Sequence, residues 1–453
     1  MDKKLDQQIT QYLENHKEQF IKDLKGLLSI DSVGVGPQGD KPYGEGVADA
    51  LDYMLALCKD ANLTTKNYDY YCGEATYGDG EESVASLTHL DVVPVSDNWK
   101  HDPFGAEIKD NVIYARGAVD NKGPGVAALY GLKALLDAGV PLKREIKLIF
   151  GCDEESGMGG VKHYLTKTDA PTYAFTPDAE FPVIHAEKNI LHGTFHYKVD
   201  KPSVVMCIEG GTRGNVVPDL AIARLKATSD LPAAKDIQIT TEDSVTTISA
   251  SGTPAHASIP HEGDNAIVKL MGYLADILPD EDGIKGIAKM AHQGFQDYHG
   301  KGLGIDCEDE ATGLLTLNLG VIGYDGNMLD MEFDIRQPVT LSMEKLMDDL
   351  QHRMEGCKLD IRGAKGLYWP KDHGLVATLM NVYRDVTGDT DCEPLTMGGG
   401  TYARALPCAV AFGPNTPNDH MGNVHMDDEY ADIDQLYSGA RIFAHAFYEL
   451  ANM

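Results

Sequence analysis

The first part of the chain carries apolar side chains at the spacing of an amphipathic helix. Across residues 5–28 the apolar positions recur every three or four residues, with Lys, Glu and Gln between them. After a Gly-rich turn, residues 47–57 have the same spacing. The pattern therefore predicts that two helices open the fold.

Strands and a further helix follow. The segment from Ser83 to Pro94 is rich in β-forming residues, and the short strand NVIYAR leads into the glycine-punctuated sequence GAVDNKGPG. A helix is predicted over residues 126–138, and the apolar strand EIKLIFG then runs into an acidic turn. This order of strand, helix and strand is typical of crossover units in a mostly parallel sheet.

The pattern changes between residues 188 and 362, where apolar and polar positions alternate in segments such as ILHGTFHYKVD and NMLDMEFDIRQP. Alternation is typical of antiparallel strands with helices on one face. Afterwards the sequence returns to a helix at 375–386, a short apolar strand at 408–412 and an amphipathic helix from Ile433. We therefore predict an α/β domain formed by residues 1–187 and 366–453, interrupted by an inserted α+β domain at 188–365.

Composition supports a globular protein and narrows its partners. Hydrophobic residues make up 43% and charged residues 24% of the 453 residues, which is the balance of a folded chain with a sizeable core. Asp and Glu number 70 against 39 Lys and Arg, so the formal charge is −31. Such a charge repels phosphate backbones and anionic lipids, which argues against nucleic acid and membrane partners.

The cysteines and the N-terminal segment bear on location. The eight cysteines are widely separated, contain no C-x-x-C pair and lie in a chain that needs no disulfides to fold. We expect them to be reduced and mostly buried. The first residues are charged and lack an apolar signal core, and no stretch is long and apolar enough to span a membrane. These features predict a cytoplasmic protein.

Acidic and imidazole groups recur where apolar strands end. Taken one at a time, each has an ordinary explanation as a turn or surface residue. Together they would meet at one edge of a parallel sheet, where ligands bind. Two histidines and three carboxylates can surround two cations if one carboxylate bridges, and one further carboxylate would serve as a base. The candidates are His89, Asp91, Asp120, Glu154, Glu155, Asp178 and His425.

The motifs around these residues resemble a known family. The series HLDVVP, GAVDNKGP, DEESG, TPDAEFP, PAHASIP, DIR and NVHMDDE occurs in this order over most of the chain. It resembles the zinc-dependent peptidase clan M20, and within it most closely the bacterial dipeptidase V group of Xaa-His, carnosinase-like dipeptidases. The resemblance implies an α/β fold with a mostly parallel sheet in the catalytic domain and an enlarged α+β lid.

The resemblance also implies a two-metal site. His89 and Asp178 would be the terminal ligands of one metal, Glu155 and His425 those of the other, and Asp120 the bridging carboxylate. His420 lies in the same late motif and is an alternative to His425. These donors accept Zn²⁺, Mn²⁺ or Co²⁺, and we expect two Zn²⁺ ions.

Two further acids have implied roles beside the ligands. Asp91 would fix the tautomer and the basicity of His89. Glu154 would be the general base that takes a proton from the attacking water and gives it to the leaving amine. The family also carries a cis peptide after the bridging carboxylate, so we expect one between Asp120 and Asn121.

Residues of the inserted domain and of a late Gly-rich turn are implied to contact the substrate. His256 would stabilise the oxyanion, and Arg336 would bind a substrate carboxylate with its planar guanidinium. Asn215 would lie near the same group. Thr401 and Arg404 of the sequence GGGTYARAL would line the carboxylate end, although such a turn is also common without any ligand.

We therefore predict a metal-dependent dipeptidase acting on dipeptides with free termini. The same site in this clan also serves N-acyl amino acid deacylases, desuccinylases, aminotripeptidases and carboxypeptidases. The insert of about 175 residues favours the enlarged dipeptidase lid, and with it a monomer rather than a dimer. A catalytically silent binding protein is the remaining alternative, but it would be expected to lack a ligand or the base.

Overall fold

A computed structural model describes residues 2–226, 231–353, 356–416 and 421–453. The chain divides into two compact units. Unit 1 comprises Met1–His185, Trp369–Leu395 and Thr401–Met453, and unit 2 comprises Ala186–Tyr368 and Thr396–Gly400. Among the described residues, no helix has both the length and the apolar character needed to cross a membrane.

The α-helices are numbered in chain order. Those of unit 1 confirm the five predicted helical segments and include one further short helix, Gly159–Leu165, that the sequence pattern does not predict. The helices are α1 (Lys3–Leu28), α2 (Glu45–Asp60), α3 (Lys122–Asp137), α4 (Gly159–Leu165), α5 (Ala266–Ile277), α6 (Lys285–Phe295), α7 (Met343–Arg353), α8 (Gly374–Thr387) and α9 (Ile433–Asn452). Short 3₁₀ helices lie at Glu154–Ser156, Pro260–Glu262, Lys301–Leu303 and Tyr402–Ala405.

The first and last helices show why these sequences are helical. The Asp2 carboxylate caps α1 by accepting the N–H of Lys4 at 2.8 Å, and the Asp432 carboxylate caps α9 in the same way. The apolar face of α1 is buried, with Ile9 and Phe20 fully inaccessible to solvent. A polar N-cap and the burial of an apolar face therefore act together to stabilise a helix in such a sequence.

Unit 1 contains a mixed sheet with a parallel centre. Its strands lie in the order Thr64–Tyr68, Cys72–Tyr77, Glu145–Gly151, Ser83–His89, Tyr173–Thr176 and Ala409–Ala411. The last four are mutually parallel, which confirms the predicted fold class. The first two form an antiparallel hairpin that the sequence pattern did not predict.

A small antiparallel sheet joins two distant parts of unit 1. Its strands are Glu107–Lys109, Val112–Tyr114 and Tyr430–Asp432, and Tyr430 pairs with Tyr114. This pairing connects the segment before Asp120 to the segment after His425. The pair Ala179–Glu180 and Pro414–Asn415 forms another short sheet. Further short strands are Ile184–Glu187, Leu367–Tyr368 and Leu395–Met397.

Unit 2 is built on an antiparallel sheet, as the alternating pattern predicts. The strands lie in the order Ile237–Glu242, Val245–Ser251, Leu220–Lys226, Val205–Gly210, Thr316–Tyr324, Met328–Gln337, Asn189–Lys198 and Lys358–Ala364. Glu308–Asp309 and Gly313–Leu314 form a separate hairpin. Residues of α5, α6 and α7 pack with one face of the sheet in a single apolar core, in which Phe195 stacks on Phe333 with ring centroids 4.6 Å apart.

The cysteines form no disulfide in this fold. Cys58, Cys72 and Cys152 are buried, and the other five are half-buried, so fewer are buried than the sequence analysis expects. Burial raises the pKa of Cys58 and Cys72, which makes both thiols poor nucleophiles.

Candidate metal centre

Three neighbouring strands of unit 1 end at the candidate site. His89 is the last residue of its strand and pairs in register with Gly151 of the adjacent parallel strand. Glu154 and Glu155 follow Gly151 in a short 3₁₀ turn. Asp178 follows the strand Tyr173–Thr176 by two residues. The parallel arrangement therefore brings side chains from separate parts of the sequence to one edge of the sheet.

Asp120 enters from the loop before α3. The peptide bond between Asp120 and Asn121 is cis, as expected from the family resemblance. The side-chain amide of Asn121 donates hydrogen bonds to the carbonyl of Pro177 at 2.6 Å and to Oδ1 of Asp178 at 3.2 Å. Asn121 therefore connects the Asp120 loop to the Asp178 loop.

The carboxylate of Asp120 lies between the two histidines. Its Oδ1 is 2.8 Å from Nε2 of His89, and its Oδ2 is 2.9 Å from Nε2 of His425. Each oxygen thus faces a different imidazole. A carboxylate that offers one oxygen to each side has the geometry needed to bridge two cations.

The remaining acids divide between the two sides of Asp120. Oδ1 of Asp178 is 3.8 Å from Nε2 of His89, whereas Oε1 of Glu155 is 3.1 Å from Nε2 of His425. Donor atoms of His89, Asp120 and Glu155 all lie within 4.8 Å of one another, a grouping that could hold a metal ion. The structure therefore brings together all five residues that the sequence analysis proposes as ligands.

The environment of His89 fits a metal ligand. Its ring is buried, and Nδ1 lies 2.9 Å from the backbone carbonyl of Asp91, which leaves Nε2 as the free lone pair when the ring is neutral. Nε2 is buried and close to Asp120, yet it makes no hydrogen bond with any part of the chain that the structure describes. A buried nitrogen without a hydrogen bond, facing carboxylates, is what a cation would complete.

Asp91 contacts both His89 and the turn that carries Glu154 and Glu155. Its backbone carbonyl, rather than its carboxylate, is hydrogen-bonded to His89; the carboxylate Oδ1 is 3.6 Å from Nδ1. Instead, Oδ1 and Oδ2 accept the backbone N–H groups of Glu154 and Glu155, each at 3.1 Å. The side chain of Asp91 therefore holds the turn that carries these two acids.

The close packing of like and unlike charges shifts the pKa values of the site. Burial raises the pKa of Glu154, and the neighbouring acids Asp178, Glu155 and Asp120 raise it further, so it lies well above its usual range despite the opposing effect of His89. Burial also raises the pKa of Asp178, to about 6. Burial and the nearby negative charges therefore favour the protonated form of both acids.

For the two histidines and Asp120, contacts between imidazole and carboxylate shift the pKa more than burial does. Burial lowers the pKa of His89, but the surrounding carboxylates outweigh this effect and raise it well above its usual range. Hydrogen bonds to Asp120 and Glu155 raise the pKa of His425 to about 10. Burial raises the pKa of Asp120, but the two imidazoles lower it more strongly. The site thus has strong mutual attraction between imidazoles and carboxylates.

The alternative ligand His420 lies outside the described residues.

The candidate substrate residues of unit 2 lie on two loops and a strand. Asn215 and His256 are on adjacent loops, because Val216 forms a β-bridge with His256 and the N–H of Ala257 donates to the carbonyl of Asn215 at 2.9 Å. His256 is exposed, and its Nδ1 lies 2.7 Å from Oγ of Ser258.

Arg336 is buried in the central part of the unit 2 sheet. Its Nε and Nη2 donate to the carboxylate of Asp334 at 2.6 and 3.1 Å, and its Nη1 donates to the carbonyl of Gly398 at 2.8 Å. One N–H on each of Nη1 and Nη2 remains for another acceptor.

Arg404 lies on the short 3₁₀ helix Tyr402–Ala405, and Thr401 directly precedes this helix. The hydroxyl of Thr401 caps this helix by accepting the N–H of Ala403 at 3.2 Å, and Thr401 is buried. Arg404 is half-buried. The capping hydrogen bond gives Thr401 a structural role in this helix. A contact of Thr401 or Arg404 with the substrate stays a prediction.

Tyr402 lies next to the candidate site and was not predicted from the sequence. Its ring is buried and meets the ring of His89 edge-on, with centroids 6.0 Å apart. Its hydroxyl donates to Oδ1 of Asp153, directly before Glu154, at 3.3 Å. The ring also occupies the space where a side chain at Gly151 would begin, because a Cβ there would lie 2.4 Å from it. Tyr402 therefore packs behind the metal centre.

The chain is similar to known peptidases. The family model described as "Peptidase family M20/M25/M40" matches residues 85–449. A protein of Bacillus subtilis (strain 168) named "Putative dipeptidase YtjP" is 37% identical over 456 residues, covering 96% of this chain and 98% of that protein.

Two solved structures share the fold. Human carnosine dipeptidase 1 has a TM-score of 0.58 and 15% identity, over 99% of this chain and 100% of that one. The di-peptidase Dug1p from Saccharomyces cerevisiae has a TM-score of 0.61 and 14% identity, over 99% of both chains. At these identities the likeness concerns the fold alone.

Proposed function

Because the chain belongs to peptidase family M20/M25/M40, and is thereby a metallohydrolase, we propose that it is a metal-dependent dipeptidase acting on dipeptides with free termini. The observation that carries the proposal is the position of Asp120, whose two carboxylate oxygens face His89 on one side and His425 on the other. The name of the Bacillus subtilis relative supports the dipeptide as substrate class.

We propose that five residues hold two divalent cations. His89 and Asp178 would bind one cation, His425 and Glu155 the other, and Asp120 would bind both. When bound, such cations lower the pKa of water and polarise the scissile carbonyl. The donors are nitrogen and oxygen atoms without thiolates, so we propose Zn²⁺, with Mn²⁺ and Co²⁺ as alternatives.

Glu154 is the proposed general base. It belongs to the same turn as Glu155, and the Asp91 carboxylate holds the backbone of both residues. In this role it would take a proton from the attacking water and then release that proton to the leaving amine.

The remaining residues are proposed to recognise the substrate. Arg336 would bind the free C-terminal carboxylate, and the N–H groups that Asp334 and Gly398 leave available on its guanidinium support this role. We propose that His256 stabilises the oxyanion and that Asn215 lies near the bound carboxylate. Thr401 and Arg404 are proposed to line the carboxylate end.

The proposal is tested with a hydrolysis panel. The purified protein, loaded separately with Zn²⁺ and with Mn²⁺, would be assayed on free dipeptides, N-blocked dipeptides, tripeptides and N-acyl amino acids. We expect the free dipeptides to give the highest kcat/KM. A preference for N-acyl amino acids would instead identify a deacylase, and a protein that binds metal but hydrolyses none of these amides would support the silent binding protein.

The monomeric state and the cytoplasmic location stay predictions. Size-exclusion chromatography with light scattering would test the first, and cell fractionation would test the second.

A further inference from the structure

Glu429 is a buried carboxylate beside the proposed metal centre. Only 1% of its surface is exposed. Its Oε1 accepts the backbone N–H groups of Val119 and Asp120 at 2.9 and 3.2 Å. Its Oε2 accepts the N–H of Gly117 at 3.1 Å and Nη1 of Arg116 at 2.7 Å. Four donors from one short loop therefore converge on a single carboxylate.

The same residue belongs to the segment that carries His425. Glu429 follows His425 by four residues, and its backbone carbonyl accepts the N–H of Ala115 at 3.1 Å. The next residue, Tyr430, pairs with Tyr114 in the small sheet. Backbone and side chain of Glu429 thus attach the His425 segment to the loop that ends at Asp120.

The ion pair of Glu429 with Arg116 lies in the interior. Arg116 is 2% exposed, and its guanidinium lies over the ring of Trp99 at 5.1 Å from the centroid. A buried charge is tolerated only where it is paired and hydrogen-bonded. Here the carboxylate is paired with the guanidinium and hydrogen-bonded to three backbone N–H groups, so it is well satisfied in this one arrangement of the loop.

We propose that Glu429 is a positioning residue that fixes the Asp120 loop against the His425 segment, so that the Asp120 carboxylate can face both histidines. The inference rests on the proposed metal-binding function. It assigns no contact between Glu429 and a metal or substrate: Glu429 acts through Asp120. Groups that orient metal ligands in this way typically change metal affinity by about 10- to 100-fold when they are replaced.

The variant Glu429→Gln tests the proposal because both oxygens of the carboxylate are in use. A glutamine replaces one oxygen with an NH₂ group, which would then face N–H donors on that side. If the NH₂ group replaces Oε1, the N–H groups of Val119 and Asp120 lose their acceptor. If it replaces Oε2, the N–H of Gly117 and the Arg116 guanidinium lose theirs. We expect the loop to relax and the affinity of the folded metal-free protein for Zn²⁺ to fall by about 10- to 100-fold in competition titration with a chelating dye.

Glu74→Gln is the matched control. Glu74 is a buried carboxylate of unit 1 that accepts the hydroxyls of Tyr68 and Tyr164 and pairs with Lys147 at 3.3 Å. Its replacement should lower thermal stability without changing Zn²⁺ affinity. Equal Zn²⁺ affinity of wild type and folded Glu429→Gln would overturn the inference, and would leave the proposed function intact if wild type binds Zn²⁺. Failure of wild type to bind metal would instead refute the proposed function.

A measurement on wild type covers the case in which Glu429→Gln does not fold. Hydrogen exchange of the metal-free protein, read by mass spectrometry on a peptide containing residues 116–121, reports the N–H groups that Glu429 accepts. We expect slow exchange at Gly117, Val119 and Asp120. Exchange there as fast as in an exposed loop would show that Glu429 does not hold this segment, and would overturn the inference without any variant.

Discussion

Asp334 holds the guanidinium of Arg336 from one side, with hydrogen bonds from Nε and Nη2 to its two carboxylate oxygens. Asp334 is fully buried, and Nδ1 of His192 lies 3.1 Å from its Oδ2. Although burial raises the pKa of Asp334, these two basic partners lower it overall. The arginine is therefore presented in one orientation before any ligand binds, which is the condition for a bidentate contact with a carboxylate.

The first prediction concerns Arg336→Lys, which keeps the charge but removes the planar fork. We expect the kcat/KM of free dipeptides to fall by about 10- to 100-fold, because each charge-assisted hydrogen bond contributes roughly 1.5 to 3 kcal/mol. The ratio of kcat/KM for dipeptides to kcat/KM for their C-terminal amides should approach one. Steady-state kinetics of wild type and variant on both kinds of substrate would measure the fall and this ratio.

Arg224→Lys is a suitable control for this test, since Arg224 is a strand residue of the same sheet whose Nη1 pairs with Glu209 at 2.9 Å. Arg336→Ala is less suitable, because it would leave the buried Asp334 without its main cationic partner. An unchanged preference for free carboxylates in Arg336→Lys would contradict the assigned role.

The second prediction separates the base from the ligands. Glu154→Gln should keep the metal content of wild type and lose turnover by about 10²- to 10⁴-fold, because general-base catalysis contributes roughly that factor. Asp120→Asn should lose both metal and turnover, since the proposed bridge between two cations needs both carboxylate oxygens, one facing each histidine. Elemental analysis beside kinetics would check this. If Glu154→Gln lost metal while Glu155→Gln retained it, the two glutamates would exchange roles.

The third prediction concerns Tyr402, which packs against His89 and Gly151. Tyr402→Phe keeps the ring and removes the hydrogen bond to Asp153, so we expect a loss of about 1 kcal/mol in the free energy of unfolding. Tyr402→Ala leaves a cavity and should lose about 3 to 5 kcal/mol. Urea unfolding of the metal-free proteins would measure both, and equal losses would contradict the packing role.

Much of the candidate metal centre was predictable because its residues follow apolar strands. His89, Glu155 and Asp178 each stand at a strand end or shortly after one, and parallel strands bring such ends to one edge. The pattern of buried runs and the order of strands and helices are enough to predict this convergence. The motif order then distinguishes the family, as the match over residues 85–449 confirms.

The residues that support the proposed ligands were not predictable in the same way. Glu429 stands beside Asp427 and Asp428 in one acidic run, and nothing local shows that its side chain alone reaches the loop before Asp120. Tyr402 stands in a Gly-rich turn that has no periodic pattern. The hairpin of Thr64–Tyr68 and Cys72–Tyr77 was also missed, because its residues mix aromatic and polar side chains without regular alternation.

The last prediction concerns Asp91, whose carboxylate accepts the N–H groups of Glu154 and Glu155 while its backbone carbonyl is hydrogen-bonded to His89. Asp91→Asn leaves the backbone carbonyl in place but puts an NH₂ group against one of the two N–H donors. We expect turnover to fall by about 10- to 100-fold, as is typical when a group that orients catalytic or ligand residues is replaced.

A double-mutant cycle identifies the residue through which Asp91 acts. In a Glu154→Gln background the base is already absent, so a carboxylate that works by positioning Glu154 has little further turnover to lose, and the two effects should be far from additive. If the carboxylate instead worked through Glu155 or through the imidazole of His89, Asp91→Asn would reduce residual turnover by the same factor in both backgrounds, because both residues are intact in each. Additive losses would therefore reject a role of Asp91 through Glu154, whose N–H group one of its carboxylate oxygens accepts.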